Sequence, residues 1–401
     1  MAHVQVPSAA ADVALALAPV TRPDLAAIAS DAGLHRVHML AWRDLADAEA
    51  GGSELHAATI ARIWAEAGLD VTMRSSEAAG FPMYDHRDGY RVIRKAGRYA
   101  VFPRTALSGL IGRTGPRDGL VEIWNGMPFF SPWWARCPRI VFLHHVHAEM
   151  WRMVIKPRAL ARVGELVEFK LAPPVYRRAR IVTLSQSSKD EIVELLRLPA
   201  ANITVVPPGV DPRFSPAGPK ADHPLVAAVG RLMPVKQFDR LVTALVRLKA
   251  RHRGLEAVIV GEGSERPSLE AQVRAAHAGD WLHLPGRMSD AELVSLYRRA
   301  WALASTSARE GWGMTVTEAG ACGTPAVVSA IAGHRDAVVN GESGLLFDRD
   351  ITPALDRVLS DATLRARLAK GARAHAARFT WEATAAGTLQ ALADEATLRA
   401  R

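Results

Sequence analysis

Two spacings of apolar residues alternate along this chain. Residues 36–42 form a compact, largely apolar run, residues 53–68 place Leu55, Ile60, Ile63 and Trp64 at helical intervals, and residues 70–73 return to a short β-type run. The first spacing suits a strand and the second a helix with one apolar face, so the stretch predicts a strand-helix-strand unit of a parallel sheet. Further strands are expected at 91–94, 120–124, 139–144 and 180–184, and the serines at 185–188 are expected to cap a helix over 189–196. The turn-rich Pro207-Pro208-Gly209-Val210-Asp211-Pro212 ends this series. A second series starts with strand 225–229 and runs through helix 237–251, strand 257–260, helix 266–277, strand 282–284, helix 291–300, strand 302–305, helix 315–322 and strands 326–329 and 345–347. The pattern predicts an α/β chain of two doubly wound, Rossmann-like domains, 36–208 and 209–379, facing each other across a cleft. Residues 1–35 read as an N-terminal extension. The Ala-rich helix 380–401 either caps the second domain or crosses back to the first.

The 401-residue length agrees with two domains, and 49% hydrophobic with 23% charged residues is ordinary for a globular protein. The two cysteines, Cys137 and Cys322, form no C-x-x-C pair, and a reducing, cytoplasmic setting is expected. No apolar run reaches the ~20 residues needed to cross a bilayer, and the Ala- and Leu-rich start lacks the basic residues that open a signal peptide. The net charge of +9 calls for an anionic partner. The basic residues are spread along the chain without aromatic interleaving, which disfavours nucleic acid.

In open parallel sheets, ligands bind beyond the carboxyl ends of the strands, and several loops at such ends carry suitable chemistry. Arg309-Glu310-Gly311-Trp312-Gly313-Met314-Thr315-Val316-Thr317-Glu318 separates two carboxylates by eight positions around a Gly-x-Gly turn. Gly311 and Gly313 permit close backbone approach, the helix opening near Met314 and Thr315 offers free amides to an anion, and Glu318 is placed to accept from a ribose diol. Glu310 is expected to face the sugar or its diphosphate. Gly230-Arg231-Leu232-Met233-Pro234-Val235-Lys236 follows a strand, and Arg231 with Lys236 suits a diphosphate. Gly286-Arg287-Met288 is read either as backbone contact to a base or as an ordinary turn.

In the first domain, Gly51-Gly52 lies between strand and helix, where a loop can come near a ligand. Leu143-His144-His145-Val146-His147 ends a strand, with His145 on the face opposite His144 until the strand stops. Metal binding by these histidines is disfavoured because no acidic partner accompanies them at ligand spacing, and hydrogen bonding to a sugar hydroxyl is chemically easier. Asp348-Arg349-Asp350 reads as a loop, and no metal is expected. Gly261-Glu262-Gly263 departs from the dinucleotide fingerprint because Arg266 replaces its third glycine.

Taken together, the E-x7-E element, the G-R-x-x-x-x-K loop and the segment 318–325 resemble those of the retaining GT-B glycosyltransferases, family 4 branch, over nearly everything from Arg36 onward. The resemblance implies a sugar nucleotide on the second domain, a hydroxyl acceptor (glycan, lipid-linked or small-molecule) on the first, a last helix that crosses back to the first domain, and no metal or other cofactor. It implies that Glu318 holds the ribose, Arg231 and Lys236 the diphosphate, and that Glu310 lies beside the donor sugar. His147 matches the donor-sugar histidine best and His144 second, while Gly51 and Gly52 match the loop shaping the donor pocket. Basic and apolar residues at 150–158 and 102–107 are expected to touch a membrane surface or a lipid-linked acceptor, or else to form a lid or core helix. A nucleotide-sugar epimerase or phosphorylase on the same plan, and a non-catalytic nucleotide-sugar sensor, are the alternatives.

Overall fold

The computed structural model describes residues 22–154 and 157–400. Residues 1–21, Ile155, Lys156 and Arg401 lie outside the described residues.

The first sheet contains β1 (Arg36–Leu40), β2 (Asp70–Ser75), β3 (Tyr84–Arg87), β4 (Tyr90–Arg94), β5 (Gly119–Trp124), β6 (Arg139–Leu143), β7 (Arg180–Thr183) and β8 (Ile203–Val205). Their order is β3-β4-β2-β1-β5-β6-β7-β8, parallel except for the edge hairpin β3/β4. The second sheet contains β9 (Leu225–Val229), β10 (Glu256–Val260), β11 (Leu282–Gly286), β12 (Ala302–Ser305), β13 (Ala326–Ser329) and β14 (Gly344–Phe347), in the order β11-β10-β9-β12-β13-β14. Strand order reverses between β1 and β5 in the first sheet and between β9 and β12 in the second. Connections leave to opposite sides at such a switch point and open a crevice at the carboxyl ends of the strands. The loops after β1, β9 and β12 are those that carry Gly51-Gly52, Arg231 to Lys236, and Glu310 to Gly313.

The C-terminal helix Trp381–Ala400 crosses back and packs on the helix Gly52–Glu66 and on β5 to β7. Leu389 and Leu392 are fully buried there, each stabilising by about 1.5–3 kcal/mol relative to exposure. Trp64 Nε1 donates to the Ala385 carbonyl at 3.0 Å. The helix Arg22–Asp31 packs on this crossover helix and buries Leu25 and Ala29 in the first domain's core, so residues 22–31 of the stretch read as an extension are part of that core. The two connections between domains touch each other: Val210 N donates to Phe379 O at 3.1 Å and Thr384 Oγ1 to Pro207 O at 2.8 Å.

Candidate active site

Backbone bonds between neighbouring loops build the floor of the crevice. Gly230 N donates to Val260 O and Leu232 N to Glu262 O, so the loop carrying Arg231 is held by the turn after β10. A Cβ on Gly261 would stand 2.0 Å from Gly230 O. Gly261-Glu262-Gly263 is thus a packing turn beneath the Arg231 loop, and its glycines serve close backbone approach. Lys236 closes a 3-10 turn (Pro234–Lys236) and its ammonium pairs with Glu310 Oε1, which also accepts from Ser307 Oγ at 2.9 Å. Burial pushes the Glu310 carboxyl up, but the charges of Lys236 and His334 outweigh it and hold the group down at about 2, so Glu310 is ionised.

The helix Met314–Ala321 starts immediately after Gly313, whose φ of 97° ends the loop in the left-handed region. Met314 and Thr315 form its first turn, where backbone amides lack intrahelical acceptors. Glu318 sits one turn further, 9% exposed, with Oε2 3.3 Å from the Tyr297 hydroxyl. Burial raises its carboxyl to about 7, against the lowering effect of that hydrogen bond.

The first domain meets this edge. Gly51 caps the helix Gly52–Glu66, its N–H donating to Glu54 Oε2 at 2.8 Å. A Cβ on Gly51 would lie 3.4 Å from Arg231 Nε, and one on Gly52 3.3 Å from Met314 Sδ. The N-termini of two helices, one from each domain, therefore converge with Arg231 between them. Two such termini and a guanidinium supply the donors and positive charge that suit an anion. Arg231 Nη1 lies 3.4 Å from Glu49 O, and the Arg287 guanidinium donates to Ala48 O. Arg287 thus reaches across the cleft through its side chain, a contact that neither reading of Gly286-Arg287-Met288, backbone contact to a base or ordinary turn, had included. Met288 packs against the apolar core beside it.

The histidines divide. β6 stops at Leu143, so the run from His144 is loop and strand alternation does not govern it. His144 is buried with its ring near His56 and Phe142, and neither of its nitrogens has a partner among the described residues. His147 and His145 stack at 4.8 Å between ring centroids. Burial lowers His145 to about 4, and Glu310, Arg309, Lys236 and Arg231 all act on it electrostatically. Burial also holds His147 well below the usual imidazole range, so both rings are neutral at pH 7. His145, given no role in the sequence, is the member of the His run on which both Glu310 and Lys236 act; its signal was membership of the run.

Two contributors were not legible. Arg309, beside Glu310, bridges to Glu149 at 2.9 Å and Glu191 at 2.8 Å in the first domain. Asp336 receives the backbone amides of Gln186 and Ser187, at the start of the helix Gln186–Leu196, at 3.0 and 3.3 Å. Both join the domains through charges facing a helix end or an opposite charge. Among the described residues, no group of three or more His, Cys, Asp or Glu side chains is arranged to hold a metal ion, and Asp350 closes the loop before the helix Thr352–Ser360 by accepting from Thr352 N at 2.9 Å and Thr352 Oγ1 at 2.7 Å.

The segments with a membrane expectation come out mixed. Trp151 is turned inward and Arg152 pairs with Glu165, while Phe102 is buried and Leu107 exposed. The stronger apolar exposure lies on the next helix, Arg158–Leu166, which turns Ala161 and Gly164 to the protein and leaves Leu160, Val163 and Leu166 more than half exposed. Among the described residues, no helix is long and apolar enough to cross a membrane.

Residues 210–375 match the family model for glycosyl transferases group 1, and residues 50–214 that for glycosyltransferase family 4. Over 392 residues, 86% of this chain and 92% of its counterpart, the sequence is 31% identical to a D-inositol 3-phosphate glycosyltransferase of Xylanimonas cellulosilytica. It is 36% identical over 246 residues to the similarly named protein of Stackebrandtia nassauensis, a match that spans 55% of that relative's length. The fold is similar to that of the sucrose-phosphate synthase of Thermosynechococcus elongatus, with a TM-score of 0.73 and 20% identity over 88% of this chain and 96% of that one.

Proposed function

This chain belongs to the group 1, family 4 glycosyltransferases of GT-B fold, and we propose that it moves a sugar from a nucleoside-diphosphate sugar to a hydroxyl acceptor, with retention and without a divalent ion. One observation carries the reading: Gly51 beside Arg231 and Gly52 beside Met314 bring two helix N-termini and a fixed cation to one point, with the Lys236–Glu310 pair on the adjoining loops. A diphosphate at that point would be stabilised as its sugar-oxygen bond breaks and charge accumulates on the leaving oxygen. Ribose would reach Glu318, and the sugar would lie between Glu310 and the His145–His147 loop. In the retaining course the acceptor oxygen attacks the anomeric carbon from the face the diphosphate leaves, and the departing phosphate oxygen takes the acceptor's proton. The neutral histidines donate or accept hydrogen bonds from sugar hydroxyls without competing for that proton.

The pairing of Lys236 with Glu310 favours transfer over a non-catalytic sensor. A sensor needs no carboxylate poised beside the sugar. Thermal stabilisation by a panel of UDP-, GDP- and dTDP-sugars identifies the donor, a ligand at 100 times its Kd adding about 2.7 kcal/mol. Transfer with the matching donor should then persist in EDTA. Stabilisation by none of the panel, or epimerised donor as the product, overturns the reading.

Glu318 gives this site a pH dependence of definite sign. A ribose diol donates two hydrogen bonds best to an ionised carboxylate, yet the free site holds that proton up to about pH 7. Binding must expel it at lower pH. Affinity for the nucleoside diphosphate should therefore fall by about tenfold from pH 8 to pH 6, beyond the decline shown by Glu318→Gln in the same titration. Parallel pH profiles for the two proteins would remove Glu318 from the ribose site.

For the acceptor side, the reading includes peripheral contact with an anionic membrane. The row Leu160, Val163 and Leu166 faces outward with Arg158 and Arg162 beside it, an arrangement that buries apolar groups at a headgroup boundary while arginines meet anionic lipid, at about 1 kcal/mol per basic residue. Co-sedimentation with anionic vesicles at low salt is expected, lost when Leu160 and Val163 are both changed to Glu. Equal recovery of both proteins in the supernatant ends the idea.

A further inference from the structure

A single π-helical turn, Val167–Leu171, interrupts the helical run between Arg158–Leu166 and Ala172–Tyr176. Such turns are uncommon and recur at functional sites, because the extra residue redirects a side chain. Here the redirected chemistry is the carboxylate of Glu168, which is entirely buried. Its Oε1 accepts from His147 N at 2.8 Å, and its Oε2 accepts from Ala148 N at 3.1 Å and Trp151 Nε1 at 2.9 Å. A buried carboxylate carries a large desolvation cost, which three N–H donors offset in part, burial still holding the Glu168 carboxyl above its usual range. Those donors span the end of the His run, His147, and the turn that follows it, Ala148 and Trp151.

That turn is held from all sides. Ala148 occupies the left-handed region at φ 45°, a conformation a non-glycine residue keeps only when its surroundings impose it. Trp151 packs against the His147 ring with centroids 5.3 Å apart, and a Cβ on Gly164 would stand 2.3 Å from the Trp151 ring. Gly126, in the loop after β5, closes the other side: its added Cβ would be 3.0 Å from His147 Nε2. His147 Nδ1 is 3.8 Å from Glu168 Oε1, beyond hydrogen-bond range, so Glu168 grips the His147 backbone and leaves the imidazole free. Glu149, one residue past Ala148, makes the ion pair to Arg309 of the second domain.

We infer that Glu168 is a positioning residue: from its π-helical turn it fixes the 147–149 turn, so that the His147 ring is aimed into the cleft and Glu149 meets Arg309 when the domains approach. This rests on the glycosyl-transfer reading only in assigning His147 to the sugar. The grip itself is a property of the ligand-free protein. Replacing Glu168 by Gln keeps the volume but turns an acceptor oxygen into an N–H group that opposes one of the three donors.

The test has two arms on the full chain. In the ligand-free protein, amide hydrogen exchange at His147 and Ala148 should be at least tenfold faster in Glu168→Gln than in wild type, with β9 to β14 unchanged. The milder Trp151→Phe, which deletes one donor and keeps the ring, should give a smaller acceleration in the same two amides. In the second arm, nucleoside diphosphate release is followed from an equimolar mixture of UDP-glucose, GDP-mannose and dTDP-glucose, with water as acceptor. Glu168→Gln should lower kcat about tenfold or more with donor KM within about twofold, and combining it with His147→Ala should cost nothing beyond His147→Ala alone. Unchanged exchange at His147 and Ala148, or losses that multiply in the double variant, overturn the inference. Fast exchange in Glu168→Gln together with wild-type release by His147→Ala keeps the grip but removes His147 from the sugar, which locates the failure in the glycosyl-transfer reading.

Discussion

Replacing Lys236 by Ala is expected to slow glycosyl transfer by ~100-fold or more, and Arg231→Ala to a similar degree, each by withdrawing the fixed cation proposed for the leaving diphosphate. Lys236 has a second effect. Its ammonium pairs with Glu310, both side chains being about one-fifth exposed. Without it, the Glu310 carboxylate would stand beside the proposed diphosphate with the Ser307 hydrogen bond and the His334 ring left beside it. Lys236→Ala should therefore lose donor affinity as well as turnover, whereas Arg231→Ala should act more on turnover. Adding Glu310→Gln to Lys236→Ala separates the two effects: donor affinity recovers in part because the repulsion is gone, and turnover does not. The measurements are donor Kd by calorimetry and single-turnover rates. Turnover within about threefold of wild type in both single variants would place the diphosphate elsewhere.

Gly311→Ala is expected to lower turnover by ~100-fold while leaving each domain folded. An added Cβ at this position would meet His144 O at 2.5 Å and Leu184 Cδ1 at 3.4 Å, both in the first domain. The substitution is thus a wedge between domains. Ser185 and Ser188 hydroxyls also donate to Gly311 O, each at 3.2 Å, so the same displacement breaks two interdomain bonds. A shift of about 1 Å in relative domain position is enough for a loss of this size, because transfer requires aligned reacting atoms. Solution scattering should report a larger radius of gyration in the ligand-free variant, and the unfolding midpoint should fall only modestly. Normal turnover with unchanged scattering would show that the domains do not close on Gly311.

Particular elements show why some of this was legible. The unit from β1 to β2 could be read because alternation and helical spacing are local properties, and the E-x7-E element because Glu310 and Glu318 flank one strand-to-helix loop. β3 was missed, although Asp88-Gly89 is a two-residue hairpin turn with both φ values positive, at 46° and 87°; the strand before it, Tyr84–Arg87, is polar, sits at an exposed edge and offers no apolar alternation. The C-terminal helix was legible as a helix, but spacing alone left its domain open, since an Ala-rich surface packs equally on either sheet; the crossing back to the first domain came from the family resemblance. Its burial against β5 to β7 depends on Leu389, Leu392 and Trp381 finding partners distant in sequence.

The identity of the loop residues and the order of strands and helices follow from the sequence alone, because each rests on neighbours a few positions apart, whereas Lys236 and Glu310 are distant in sequence and pair only in the fold. What only the tertiary structure decided is which groups meet: Gly51 with Arg231, Arg287 with the Ala48 carbonyl, and His145 with the charges around Glu310. The same holds for Glu168, a glutamate in an ordinary helical pattern until a π turn sends it inward beneath His147. Local spacing specifies backbone conformation, whereas contacts between two domains depend on the angle at which they pack, and that angle is a sum over many weak contacts encoded at no single position.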